Sequence, residues 1–252
     1  MEFLIYEESE GIGTLRINRP KALNALSAKL LRELDSFLNQ CPVTLRALIV
    51  TGVGEKAFIA GADLKEMQSL DHLQTLDFCS LGQKVTNSLE NAPFLTLAAI
   101  NGYALGGGLE MALACDFIYA SQEAKLGLPE VTLGIIPGFG GTQRLARAVG
   151  TRRAKEMILS GFPINAEEAY QIGLVNKVCK AEELLSEAQK TAKAISRHSQ
   201  IAVRQAKLAI NTGYSLGMHE ALELEKNMFA VCFDTPARKE AIEAFINKNL
   251  GK

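Results

Sequence analysis

The chain has 252 residues, 48% of them hydrophobic, and balances 27 Lys and Arg against 28 Asp and Glu for a formal net charge of -1. At this size about three-quarters of the unfolded chain's surface can be buried, in one large domain or in a core with an appendage. The balanced charge excludes a global field for nucleic acid or an anionic membrane, so any anionic ligand must be held locally.

Cys41, Cys79, Cys115, Cys179 and Cys232 are odd in number, scattered, and contain no C-x-x-C pair. Free thiols in a reducing compartment are expected, rather than a disulfide framework or a zinc site. The first ten residues carry four glutamates and no basic residue, unlike a signal or transit peptide. A cytoplasmic, soluble protein is the expectation.

Phe3 to Glu7 and Ile12 to Ile17 read as a hairpin about Ser9-Glu10-Gly11. A polar loop, N-R-P-K-A-L-N-A-L, leads into a helix whose Leu30, Leu31, Leu34, Phe37 and Leu38 share one apolar face. Leu45 to Val50 follows as a strand. In A-F-I-A-G-A-D-L-K-E-M, residues 57 to 67, a short strand runs through Gly61 into a helix. Asp63 and Glu66 have capping-box spacing, and the turn at Ala60-Gly61-Ala62 exposes amides.

The stretch I-N-G-Y-A-L-G-G-G-L-E, residues 100 to 110, follows an apolar strand, Phe94 to Ile100. Its glycines permit close backbone approach, and Glu110 falls on a helix's first turn. Taken alone, this is equally a tight turn with a dipole-complementing acid. Asn91 to Leu109 is uncharged for 19 residues, but Pro93, two asparagines and four glycines break the surface a membrane-spanning helix needs.

Phe117 to Ala120 reads as a strand, and K-L-G-L-P-E brings a second carboxylate, Glu130, to an extended loop position beside its proline. I-I-P-G-F-G-G-T-Q-R-L then turns through Pro137 to Gly141 into a helix; no Walker lysine follows, so a turn is favoured over a phosphate cradle. Arg152 to Leu159, Ala166 to Ile172 and Glu182 to Arg197 are predicted helices, with a strand over Leu174 to Cys179. Beyond Ser199 the pattern is all-helical: Ile201 to Ile210, His219 to Val231, and a last helix from Pro236 with Thr235 as N-cap. The change near residue 195 divides an α/β core, 1–195, from a helical region, 196–252.

Several constellations fail. G-Y-S-L-G, residues 213 to 217, matches a nucleophile elbow, but helix precedes it where a strand is needed, and the order Ser, acid, His cannot be filled. His219-Glu220 does not extend to H-E-x-x-H, and no G-x-G-x-x-G follows a strand. His72, His198 and His219 lie in polar or helical settings and read as surface residues. What remains is two amide-presenting turns and two glutamates. That set suits chemistry on a carbonyl compound in which charge builds on oxygen while a proton moves at the neighbouring carbon.

The segments A-F-I-A-G-A-D-L-K-E-M, N-G-Y-A-L-G-G-G-L-E, L-P-E and I-I-P-G-F-G-G-T-Q-R-L, in that order and spacing, resemble the enoyl-CoA hydratase (crotonase) family. The resemblance covers nearly the whole chain and is weakest in the last fifty residues. It implies a crotonase-type α/β spiral of ββα turns with a C-terminal helical trimerisation region, assembling as a homotrimer or a hexamer. It also implies an acyl-CoA substrate, no cofactor beyond the coenzyme A of that substrate, and no metal. An oxyanion hole from the N–H groups of Ala62 and Gly107 would face the thioester oxygen. Glu110 would activate water and Glu130 would protonate C2 of a 2-trans-enoyl-CoA; residue types alone do not divide those roles. The family likeness further implies that CoA contacts come from Ala60, Ala62, Asp63, Leu64, Lys65 and Gly107, from Lys21 and Leu23, and from Lys226 and Phe229 in the helical region. Leu128 departs from the Gln that many hydratases carry two residues before the second glutamate. Enoyl-CoA isomerase or acyl-CoA hydrolase chemistry on the same fold, an RNA-binding homologue, and a non-catalytic assembly subunit are the competing expectations.

Overall fold

The computed structural model describes residues 1–250. Strands β1 (Leu4–Ser9) and β2 (Ile12–Ile17) form an antiparallel hairpin, and helix α1 (Ala28–Asn39) follows, capped by the Ser27 side chain. A repeating pattern then begins. β3 (Ala47–Gly52) and β4 (Ala57–Ile59) lead to α2 (Leu64–Met67) and the long α3 (His72–Glu90). β5 (Leu95–Ile100) and β6 (Tyr103–Leu105) lead to α4 (Gly107–Leu113). β7 (Phe117–Ser121) and β8 (Lys125–Gly127) lead, through a 3-10 turn at Glu130–Leu133, to α5 (Gly141–Val149) and α6 (Thr151–Ser160). β9 (Ile164–Asn165), α7 (Ala166–Gln171), β10 (Lys177–Cys179) and α8 (Leu184–Ser196) complete this part.

In each repeat the first strand enters a six-stranded sheet of order β1-β2-β3-β5-β7-β10, and the second enters a four-stranded sheet of order β4-β6-β8-β9. Apart from the β1–β2 pair, the large sheet is parallel. Every residue of β3 and β5 is buried, because helices cover both faces. On one face Leu184, Ala188 and Ala192 of α8 close over Ile49, Leu97 and Ala99. On the other, α1, α3 and α4 pack with Leu30, Leu34, Val85 and Leu109 in the main core. The expected α/β spiral is therefore observed, with the two strands of each turn split between two sheets.

Helices α9 (Gln200–Gly213), α10 (Met218–Phe233) and α11 (Pro236–Leu250) follow. The Thr235 hydroxyl accepts from the Arg238 amide, as an N-cap should. α9 is tied to the core by Lys207, which donates to Asp116 and to the Phe94 carbonyl, and by Asn211, which donates to the Glu90 carbonyl. The G-Y-S-L-G segment is the link between α9 and α10. No helix among the described residues is long and apolar enough to cross a membrane.

Two expectations are corrected, and one element is added. Asp63 and Glu66 do not form a capping box: Asp63 pairs with Arg19 at 2.9 Å, and Glu66 instead accepts from the Ala28 amide. Long-range partners outcompete the local bond. Glu130 opens a 3-10 turn rather than standing on extended chain. Proline restricts the residue before it, Leu128, and leaves the one after free to turn. Finally, α3 is a helix of 19 residues over a segment that the sequence reading passed by. Its signals were present in the Asp71–Gln74 capping box and in Phe78, Val85 and Leu89 at helical spacing.

Candidate active site

The turns after β4, β6 and β8 lie side by side because their strands are neighbours in the small sheet. Together with α3 and the 137–142 segment they enclose a cavity of about 810 Å3. Ala60, Ala62 and Leu64 line it from the first turn, Gly107 and Glu110 from the second, and Glu130 from the third.

The first turn is held by two side-chain amides, the buried Asn24 and the half-buried Asn101. Asn24 donates to the carbonyls of Val53 and Ala57, and Asn101 donates to those of Gly52 and Gly54 while accepting from the Gly52 amide. Leu26 bridges the turn by donating to the Gly61 carbonyl and accepting from the Asp63 amide. The Ala62 N–H between them has no protein acceptor among the described residues. Gly107, at the first position of α4, likewise carries an N–H outside the helix's own ladder.

Gly106 and Gly108 permit this approach for different reasons. Gly106 has φ 51° and ψ -127°, a conformation that L side chains rarely adopt. A Cβ on Gly108 would stand 1.9 Å from the Ile59 carbonyl oxygen, so only glycine lets α4 sit directly on β4.

Glu110 is 2% exposed. Its Oε1 accepts from the amides of Phe139 at 2.8 Å and Gly141 at 2.7 Å. Burial pushes its pKa up, while those amides and the nearby Arg144 guanidinium act in the opposite direction. Glu130 is raised to about 7, by burial first and by the like charge of Glu110 as well. Its Oε2 is buried with no hydrogen-bond partner, and its Oε1 lies 2.9 Å from where a Gly106 Cβ would be. Two carboxyl groups with raised pKa values thus face one cavity, one braced by two donors on one oxygen and the other with a buried oxygen that has no partner.

Other expected positions lie off the cavity wall. Lys21, Leu23 and Lys65 are exposed, and the Leu23 carbonyl accepts from the Ala60 amide. Asp63 is engaged by Arg19, which holds its carboxyl below the usual range. On α10, Lys226 pairs with Glu223 and Phe229 stacks on Phe233. Sequence reasoning missed the Phe139 and Gly141 amides and the α3 wall of Phe78 and Cys79. The glycine-rich turn at 137–141 was the available signal. It does hold a carboxyl group, and that group is the chain's own Glu110.

A model of the enoyl-CoA hydratase/isomerase family matches residues 7–251. The chain belongs to this family. Among its relatives, a crotonyl-CoA hydratase of Syntrophomonas wolfei is 46% identical over 250 residues, covering 98% of this chain and 96% of the relative. A short-chain-enoyl-CoA hydratase of Clostridium acetobutylicum is 44% identical, covering 97% and 95%. The crystal structure of an enoyl-CoA hydratase from Bacillus anthracis superposes with a TM-score of 0.95 at 42% identity, covering 98% and 96%. The family fold thus extends over the site and the C-terminal helices alike.

Proposed function

We propose that this chain is an enoyl-CoA hydratase, which adds water reversibly and syn across the double bond of a 2-trans-enoyl-CoA to give a 3-hydroxyacyl-CoA. The observation that carries the reading is the pairing of Glu110 and Glu130 on one cavity whose wall also presents the Ala62 and Gly107 amides. The names of the similar proteins support the same substrate class.

In this reading the thioester oxygen sits between the Ala62 and Gly107 N–H groups, each such donor lowering the barrier by about 3 kcal/mol. Glu110, kept ionised by two amides, takes a proton from water as the oxygen bonds to C3. The C2–C3 π electrons move toward the thioester oxygen, and protonated Glu130 delivers its proton to C2. Glu110 ends protonated and Glu130 ionised, and proton exchange with solvent restores both. Ala60, Asp63, Leu64 and Lys65 lie along the CoA moiety with Lys21 and Leu23 near its nucleotide, and Lys226 and Phe229 contribute from α10.

The helices α9–α11 are proposed to assemble a homotrimer or a hexamer. Their exposed apolar side chains, among them Ile210, Met218, Phe229 and Phe245, support this. A monomer by light scattering at micromolar concentration would reject the assembly.

Loss of conjugated-enoyl absorbance from crotonyl-CoA, with 3-hydroxybutyryl-CoA as product, tests the reaction. Release of free CoA thiol without hydration would point to a hydrolase, and an intact enoyl signal would reject hydration.

A further inference from the structure

Arg144, on α5 and 12% exposed in its side chain, does not line the cavity. Its Nη1 donates to the Phe139 carbonyl at 3.1 Å and lies 3.2 Å from the Thr86 hydroxyl, which is itself 3.0 Å from the same carbonyl. Nη2 bonds Glu90 at 2.6 Å and Asn87 at 2.7 Å, and Nε reaches Glu90 at 3.1 Å, so the guanidinium is anchored on α3. The carbonyl it grips belongs to the 139–140 peptide, which lies between the two peptides whose N–H groups serve Glu110. Phe139 donates its N–H to Glu110 and gives its C=O to Arg144 and Thr86. Gly141 supplies the second donor to Glu110.

Between them Gly140 has φ 111°, the left-handed region, where glycine's freedom makes the turn easy to form and equally easy to undo. Something must hold it. The Phe139 ring is 3% exposed and fills the space beside Gly82, which fixes the side chain but leaves the peptide planes free to rotate.

We infer that Arg144 is a positioning residue for Glu110: by fixing the Phe139 carbonyl from α3, it keeps the Phe139 and Gly141 amides aimed at one carboxylate oxygen. The inference rests on the proposed role of Glu110 as the water-activating base. Glu110 is faced by Arg144 from α5, Glu130 from the 3-10 turn and Cys79 from α3, while Glu90 faces Arg144 from α3. Arg144 is the one cation in that set. It therefore acts on Glu110 twice, through the amides and through its charge.

Full-length Arg144→Met, Arg144→Lys and Thr86→Val proteins are compared with wild type for crotonyl-CoA hydration across about pH 5 to 9, with thermal melts alongside. Arg144→Met is expected to lose about 10- to 100-fold in kcat with KM changed less than about threefold, because the base is misdirected while the thioester site is untouched. Its acid limb moves to higher pH. Arg144→Lys restores a cation, so its acid limb returns toward that of wild type although kcat stays low. Thr86→Val lowers kcat several-fold and leaves the acid limb in place. A folded Arg144→Met protein with wild-type kcat and acid limb overturns the inference. So do Met and Lys variants with the same acid limb and activity lost only in step with melting temperature. If Arg144→Met does not fold, the other two variants decide, and wild-type kcat in both overturns it. Wild-type protein inactive on crotonyl-CoA would reject the hydratase reading instead. The inference is then judged on the titration of Glu110 itself by carboxylate difference infrared spectroscopy, whose midpoint Arg144→Met must raise.

Discussion

The Gly141 amide lies 2.7 Å from Oε1 of Glu110, a contact between residues 31 apart in sequence. With the Phe139 amide on the same oxygen, it gives Glu110 two hydrogen bonds that favour its ionised form against the effect of burial. Glu130, across the cavity, has no such donors on its buried Oε2. The asymmetry separates a group suited to take a proton from one suited to give it.

Glu110→Gln and Glu130→Gln are therefore each expected to lower hydration of crotonyl-CoA by about two to four orders of magnitude while thioester binding survives. Steady-state kinetics and calorimetric titration with a CoA thioester separate the two effects. Near-normal turnover in Glu130→Gln would sink the assignment.

The pH profile follows from the same pair. In the proposed mechanism hydration needs Glu130 protonated and Glu110 ionised, so rate is expected to fall on the alkaline side as Glu130 loses its proton near pH 7, and on the acid side as Glu110 gains one. In Glu110→Gln a like charge is gone, so the Glu130 pKa drops. Carboxylate resonances in an NMR titration would report that drop.

Stability should respond to Glu130 with a definite sign. Its folded pKa of about 7 lies above the ordinary 4.5, so the folded state binds more protons in that window. The group's contribution is complete below the ordinary carboxyl range and is lost as pH rises through the folded value. Glu130→Gln removes this cost, and after allowance for partial solvent access it should be more stable than wild type at about pH 8 by on the order of 1 kcal/mol. The gap should close at about pH 4.5. Melting curves at the two pH values test the sign.

Gly108→Ala places a Cβ 1.9 Å from the Ile59 carbonyl oxygen, a backbone atom that cannot swing aside. A loss of about 1–3 kcal/mol or more is expected, together with lost activity, because α4 must lift from β4 and carry Gly107 and Glu110 with it. A melting temperature within a degree or so of wild type would contradict the packing account.

Asn101→Ala removes a side-chain partner from four backbone groups, at Gly52, Gly54 and Ala57. A cost of about 1–3 kcal/mol is expected, from part-buried hydrogen bonds lost. Denaturant melts measure it, and KM should rise as the Ala62 turn loosens.

How much was legible beforehand depended on the range of the physics. The glycine run, the helix start at Glu110 and the strand-to-helix turn at Ala62 are local features, written in backbone freedom and side-chain periodicity. So were the apolar strands and the N-capped last helix. Where a longer-range partner competed, local reading failed: Asp63 had an adequate partner three residues away and took Arg19 instead. The 137–141 turn was legible as a turn and illegible as the support of Glu110, because its target lies on a different repeat of the spiral.

By itself the sequence determined the strands of the large sheet and most of the helices, two turns able to present amides, and the two acids. Only the tertiary structure decided that these meet. The small sheet sets β4, β6 and β8 side by side, so three turns separated by tens of residues open onto one cavity. Burial there raises both carboxyl groups, and the amides of a fourth segment brace only one of them. Desolvation and hydrogen-bond geometry belong to the folded neighbourhood, which no single stretch of chain contains.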